Sequence, residues 1–463
     1  MRWTTFLAAA LLATPALAQS DDAVAPRDHY AASQMASMRA MNICSGLWHG
    51  GLDLATIERE LNGRDASFGV LADQGGTGID HQARMVSTRY TDGMPPRVVV
   101  WRPVLGCIQL PPGAGPDAAE YLPRLPGDFA APNLDDRAWP TGDRDALRPL
   151  TGDRAARLDS LVAQAFDGQT FGGRTWGVVI VHRGYIVAER YAEGFNRHTA
   201  SQTHSAAKSF AATLVGIAQG QGIVAVEDDH LLGQWRSPGD PRAGISLGNL
   251  LHMASGLNTR GMAPPRFMDA YTQGTAVPEA VAGNFLAARP GSEFVYSPAD
   301  TMLVMRALRE ALNDDARYLR FPYEELFWRI GMTRTSMNVD GQGNVFGSGQ
   351  SWSTARDFAR FGLLYLHDGV WNGERVLPAG WVDYATTPAP AQPAEGPGYG
   401  AQFWLYGPQH GLPEGSFTPS GGQGQYAMAI PSADLVVVRR GTDLGPGFDI
   451  ARFSAQVLAA LQD

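Results

Sequence analysis

The chain has 463 residues, 44% hydrophobic and 18% charged, which is ordinary globular composition with length for roughly two to three domains and excludes disorder as its main state. A net charge of −9 and the lack of any long basic run make nucleic acid and anionic lipid surfaces poor partners. Two cysteines, and ten histidines without an HExxH pattern or a close pair, give no basis for a metal-built site, and no metal or other cofactor is expected.

At the N-terminus, Arg2 precedes an apolar run from Phe6 to Leu17 that ends in Ala16-Leu17-Ala18. A charged start, a short apolar stretch and an AxA site describe a secretory signal peptide over 1–18, cleaved near Ala18-Gln19. The run is shorter than the ~18–20 residues a membrane span needs, so stable membrane insertion is not expected and the mature protein should be secreted or periplasmic. In that oxidising compartment two thiols commonly pair, so Cys44 and Cys107 are expected as a disulfide, with two buried free thiols as the alternative.

Residues 19–110 read as a small accessory module. Met35 to Ile43 and Leu52 to Leu61 have helical patterns, and Arg97-Val98-Val99-Val100-Trp101 is a β-run. Eight prolines fall within 111–150, which reads as an extended connector. From 151 to 463 the pattern is that of a larger domain. Ala155 to Phe166 is an amphipathic helix, and Trp176 to Val181 and Tyr185 to Tyr191 flank His182-Arg183-Gly184 as a hairpin. Ser205 to Gln219 is a helix closed by Gly220-Gln221-Gly222. The stretch 223–385 is mostly helical. Gly400 to Tyr406, Gln425 to Ile430 and Leu435 to Arg439 are β-runs, and Asp449 to Leu461 is a terminal helix. The expected fold class is α/β (α+β): an antiparallel sheet built from both ends of this region, about 151–222 and 386–463, flanked by helices and carrying a helical insertion.

The chemistry concentrates in His204-Ser205-Ala206-Ala207-Lys208-Ser209-Phe210. Residues three apart share a helix face, so Ser205 and Lys208 can bring Oγ and Nζ together. A serine hydroxyl is a weak nucleophile until a neighbour accepts its proton, and a lysine whose pKa is depressed can do so. Of 37 basic residues 36 are arginine, and the single lysine is Lys208. Arginine does not deprotonate in proteins, so the one lysine is a candidate for work arginine cannot do. The bland alternative is an ordinary helix start with a solvated lysine.

These residues resemble the serine hydrolases of the β-lactamase and penicillin-binding-protein fold, in the branch with class C β-lactamases, esterases and 6-aminohexanoate-dimer hydrolase. Further blocks carry the likeness: Leu250-Leu251-His252-Met253-Ala254-Ser255-Gly256-Leu257, Pro290-Gly291 with Phe294-Val295-Tyr296-Ser297, Ser353 to Gly362, and Val370-Trp371-Asn372-Gly373-Glu374. Cys44 and Leu105-Gly106-Cys107 are similar to the accessory region of secreted members. The resemblance implies that Ser205 is acylated, Lys208 takes its proton, and Tyr296 shuttles a proton to the leaving group, held partly ionised by the charge of Lys208. Pro419-Ser420-Gly421-Gly422 lies where the family has its third motif. It implies a glycine whose missing Cβ leaves room for substrate, and an oxyanion hole from the amides of Ser205 and Gly422.

Two departures bear on specificity. The third motif lacks its Lys or His, so efficient β-lactamase activity is not expected. Pro298 stands where many members have Asn or Ser; Asp300 could partly replace that contact, but a plain helix-start carboxylate is the favoured reading of it. The expected function is an exported hydrolase of a carboxylic ester or amide, acting on a small-molecule or short-peptide substrate. The alternatives are a cell-wall peptide or D-amino-acid hydrolase and a catalytically silent ligand-binding homologue. Oligomeric state is not legible.

Overall fold

The computed structural model describes residues 26–62, 76–259, 269, 271–274, 277–443 and 447–462. The leader expected over 1–18 lies outside them. Among the described residues no helix is long and apolar enough to cross a membrane.

Helix α1 (Pro26–Trp48) lies on a four-stranded antiparallel sheet in the order β1 (Thr77–Asp80), β2 (Met85–Thr88), β3 (Arg97–Arg102), β4 (Gly106–Gln109). Successive side chains of β3 point to opposite faces. Val99 joins Val86, Cys107 and the α1 residues Ala40 and Ile43 in one apolar cluster. Val98 and Val100 join Ile108, Leu110 and the large core formed with the rest of the chain. The small sheet is thus a shared layer, with α1 on one side and the main core on the other. A Cys44–Cys107 disulfide ties α1 to β4.

The proline-rich stretch 111–150 has one 3-10 turn, Pro116–Tyr121, and otherwise little regular structure. It is packed rather than loose: Trp139 is buried, and Arg360 donates to the carbonyls of Pro140 and Gly142, both at 2.7 Å.

Helix α2 (Gly152–Gln164) leads into the hairpin β5 (Arg174–His182) and β6 (Tyr185–Tyr191), then β7 (Ser201–Gln202) and α3 (Ala207–Gly220). The middle of the chain holds α4 (Pro298–Leu312), β8 (Ser336–Met337), β9 (Ser351–Ser353), α5 (Ala355–Leu366) and a short hairpin of β10 (Val370–Trp371) and β11 (Glu374–Arg375). The last strands are β12 (Gly398–Tyr399), β13 (Trp404–Tyr406), β14 (Ser416–Thr418), β15 (Ser420–Gly421), β16 (Gln425–Ile430) and β17 (Leu435–Thr442), before α6 (Ile450–Leu461).

The main sheet runs β12-β13-β14-β16-β17-β5-β6, antiparallel throughout, with β15 paired to β16. Both ends of the region contribute to it, as the sequence suggests. Its two faces sort by alternation. Val178, Ile180 and Val437 pack with Leu158 of α2 and Phe453 and Val457 of α6. Val179, Val181 and Val438 face α3 and α5 within the large core. In α5, a Cβ at Gly362 would come within 2.7 Å of Val436, so glycine there lets the helix seat on β17. Of the β-run expected over Gly400 to Tyr406 only Trp404–Tyr406 is strand; residues 400–403 turn the chain back from β12, and Gly400 sits against the Ala385 carbonyl, where a Cβ has no room. The segment expected to be mostly helical carries β8 to β11 as well; β8 and β9 form a small sheet with β7.

Candidate active site

Ser205 sits in the 3-10 turn His204–Ala206 that joins β7 to α3, half-buried at the end of the sheet. Thr203 N–H donates to the Ser351 carbonyl at 2.8 Å and so pins the approach to β9. Arg440 of β17 fixes it from below, donating to the carbonyls of Ser201 at 2.8 Å, Gln202 at 3.0 Å and Ser353 at 2.9 Å. Burial pushes that guanidinium down to about 9. His204 has φ 47°, a left-handed conformation that a non-glycine residue adopts only when its surroundings enforce it. Its imidazole is pushed down to about 4, first by burial and then by the charge of Arg440, so it is neutral at pH 7.

Lys208 lies in the first turn of α3 and is 2% exposed. Its Nζ donates to Ser205 Oγ at 3.2 Å and to the Ser348 carbonyl at 2.9 Å. Among the described residues it forms no ion pair. Burial in this uncompensated setting pushes its pKa down to about 7, so a large fraction of the amine is unprotonated at neutral pH.

Tyr296 comes from the start of α4. Ser297 caps that helix by accepting from Ala299 N–H at 3.0 Å, and Pro298 takes the first helical position, where a missing N–H costs nothing. The phenol ring lies 4.9 Å from Lys208 Nζ and 5.4 Å from the Trp404 ring, and its hydroxyl bonds to Ser205 and Trp404. The residue borders the cleft and is 38% exposed as a whole. Burial of the hydroxyl end pushes the phenol up to about 12, although the bonds to Ser205 and Trp404 oppose this. The expectation that Lys208 holds the phenol partly ionised is therefore corrected. The amine gives up its proton more readily than the phenol.

The third segment borders the same place. In β15, a Cβ at Gly421 would lie 2.0 Å from the Thr203 carbonyl, so glycine is what allows the strand to close against the turn that carries Ser205. At Gly422 a Cβ would meet only His204, at 4.0 Å. The glycine that sterics demand is thus Gly421, for packing, while Gly422 faces the open cleft. Asp300 is 1% exposed and accepts from Ser255 Oγ at 2.8 Å and Ser255 N–H at 3.3 Å. It holds the Leu250–Leu257 turn and does not take the role left vacant by Pro298.

Two recesses meet at Ser205. One, of about 400 Å³, is bordered by Tyr296, Trp404, Gly422, Tyr426 and Asp443. The other, of about 150 Å³, is bordered by residues of α1 together with Gln202, Tyr271 and Gln350. Sequence reasoning missed Ser348, which acts through a backbone carbonyl and so leaves no side-chain signal. It also missed Trp404, Arg440 and the α1 wall, whose nearness to Ser205 depends on sheet order and on the seating of α1.

A family model described as Beta-lactamase matches residues 158–461. A 6-aminohexanoate-dimer hydrolase from Paenarthrobacter ureafaciens is 28% identical over 157 residues, 32% of this chain and 38% of that protein, so the match spans well under half of the relative. Among solved structures, a family VIII carboxylesterase aligns with TM-score 0.55 at 14% identity over 68% of this chain and 98% of its own. A class C beta-lactamase aligns with TM-score 0.51 at 15% identity over 67% and 97%. At these identities the structural likenesses establish the fold.

Proposed function

The chain belongs to the beta-lactamase family, and from that premise we propose that it is an exported serine hydrolase that cleaves a carboxylic ester or amide through an acyl-enzyme on Ser205. The observation that carries this reading is the placement of the buried amine of Lys208, with its pKa near 7, at 3.2 Å from Ser205 Oγ.

In the first step Lys208 Nζ takes the Ser205 hydroxyl proton while Oγ bonds to the substrate carbonyl carbon. The amides of Ser205 and Gly422 receive the oxyanion. Collapse breaks the bond to the alcohol or amine, and the Tyr296 phenol, still protonated, hands that group a proton and recovers one from Lys208. Water then attacks the acyl-serine while Lys208 takes its proton; collapse breaks the bond from the carbonyl carbon to Oγ, Lys208 returns the proton to Oγ, and the carboxylic acid leaves with Ser205 and the neutral amine restored. The Ser348 carbonyl, accepting from Nζ, keeps the amine aimed at Oγ through both halves. The absence of a basic residue at Pro419-Ser420-Gly421 supports an esterase or amidase over an enzyme that grips a β-lactam carboxylate.

A fluorophosphonate probe tests the reading. One adduct per chain is expected on the wild-type protein and none on Ser205→Ala, whose turnover of p-nitrophenyl esters should fall by ~10⁴-fold or more. Labelling that survives the substitution would overturn the assignment.

A further inference from the structure

The smaller recess at Ser205 is walled by a helix from outside the family-matched region. On α1, Met38, Met41 and Asn42 lie three and four residues apart and so share one face. All three border the recess, opposite Gln202, Tyr271 and Gln350. This wall is firmly held. The Cys44–Cys107 disulfide fixes α1 to β4, Gln109 of β4 donates to the Tyr271 carbonyl at 2.8 Å, and Asn338 reaches Met41 Sδ at 3.6 Å.

Among the described residues, Ser205 alone borders both recesses. A carbonyl attacked by its Oγ can therefore direct its acyl chain into one recess and its leaving group into the other. Tyr296, which protonates the leaving group, borders only the larger recess. The acyl chain then turns toward α1.

We infer that the recess beneath α1 is an acyl subsite for an uncharged, unbranched chain of roughly four to six carbons, with Met38 as its adjustable wall, the volume being that of a cavity that admits benzene. This rests on the proposed acyl-enzyme at Ser205. Methionine side chains are flexible and polarisable and fit a mobile alkyl chain. Among the described residues no Lys, Arg, Asp or Glu borders the recess, and its polar rim consists of amide groups, hydroxyls and an imidazole. Among the described residues the Gln350 side-chain oxygen is buried without a hydrogen-bond donor, a position from which it can accept from an uncharged polar group on the chain. An ammonium there would be desolvated with no carboxylate beside it among the described residues. The subsite therefore separates this chain from a hydrolase of the 6-aminohexanoate dimer, whose acyl group carries a terminal amine.

The test is kcat/KM of the full chain on p-nitrophenyl acetate, butanoate, hexanoate, decanoate and 6-aminohexanoate, which share one leaving group. The maximum is expected at butanoate or hexanoate, with the aminohexanoate ester at least ~100-fold below hexanoate. Met38→Trp should lower the hexanoate-to-acetate ratio by ~10-fold or more, and Met38→Ala should raise the decanoate-to-hexanoate ratio. Should the tryptophan variant fail to fold, the alanine variant decides alone. A flat chain-length profile, or ratios unmoved within about two-fold in both variants, overturns the subsite while Ser205-dependent turnover leaves the parent reading intact. Turnover that survives Ser205→Ala overturns both.

Discussion

Two helix starts in this molecule each bury cationic side chains, and they treat the charge in opposite ways. At the head of α5, Arg356 and Arg360 are 3% and 4% exposed, and each meets carboxylates. Arg356 pairs with Glu189 at 2.6 Å, and Arg360 pairs with Asp143 at 2.7 Å and Asp357 at 3.0 Å. Burial works against the charge on Arg356, but Glu189 and then Asp143 outweigh it and push its pKa up. At the head of α3, Lys208 is as deeply buried with a hydroxyl and a carbonyl as its hydrogen-bond partners and, among the described residues, no carboxylate, and its pKa falls to about 7. A compensated buried charge is architecture, whereas an uncompensated one is a group held ready to change protonation state. The sharpest way to break this contrast is to remove compensation at α5. Arg360→Met leaves Asp143 and Asp357 without a shared partner and should cost about 3–5 kcal/mol of stability, read as a lowered denaturation midpoint. A variant as stable as the wild type would show that the α5 network is not what holds residues 135–145 to the body.

The same contrast predicts the opposite sign at α3. Lys208→Arg restores a permanent charge but removes the dissociable proton, so acylation should fall by ~10²-fold or more in p-nitrophenyl ester turnover. Lys208→Met removes the buried amine altogether. It should abolish turnover while leaving stability unchanged or raising it by about 1 kcal/mol, since a methionine needs no counter-charge there. A Lys208→Met protein much less stable than the wild type would mean that the amine serves the fold rather than the chemistry.

The difference between the two helices also explains what could be read in advance. Ser205 and Lys208 were legible because three-residue spacing on a helix fixes their contact locally, and because one lysine among 37 basic residues stands out. The strands β5 and β17 were legible as β-runs, where β-branched residues crowd, but which of their residues face α2 and α6 and which face α3 and α5 was not. The polarity of the Lys208–Tyr296 pair was not, because it depends on how deeply Trp404 and Tyr399 bury the phenol. Asp300 was ambiguous for a similar reason. Its partner Ser255 is 45 residues away, and only the packing of the Leu250–Leu257 turn brings them together. The α5 block, typical of the family in sequence, proves to be an ion-pair clamp on the proline-rich stretch, which no local pattern announces.

The finest test of the contrast is the pH profile. With Lys208 pushed down to about 7, kcat/KM for an uncharged ester should rise about ten-fold per pH unit below 7 and level off above it. Tyr296, pushed up to about 12 by burial, should give no descending limb below about pH 11. Asp300 is the competitor for the limb at 7, because burial raises its carboxyl to about 7 as well. Stability separates the two by sign. The folded pKa of Asp300 lies above its ordinary 3.8, so the folded state binds more protons between about 4 and 7 and stability falls with rising pH across that window. The folded pKa of Lys208 lies below its ordinary 10.5, so the unfolded state binds more protons between about 7 and 10.5 and stability rises there. Asp300→Asn should therefore flatten the stability curve on the acid side and leave the activity limb in place. If the limb vanishes with Asp300, the titrating group in catalysis is the carboxyl behind the Ser255 turn, and the uncompensated lysine loses its role as base.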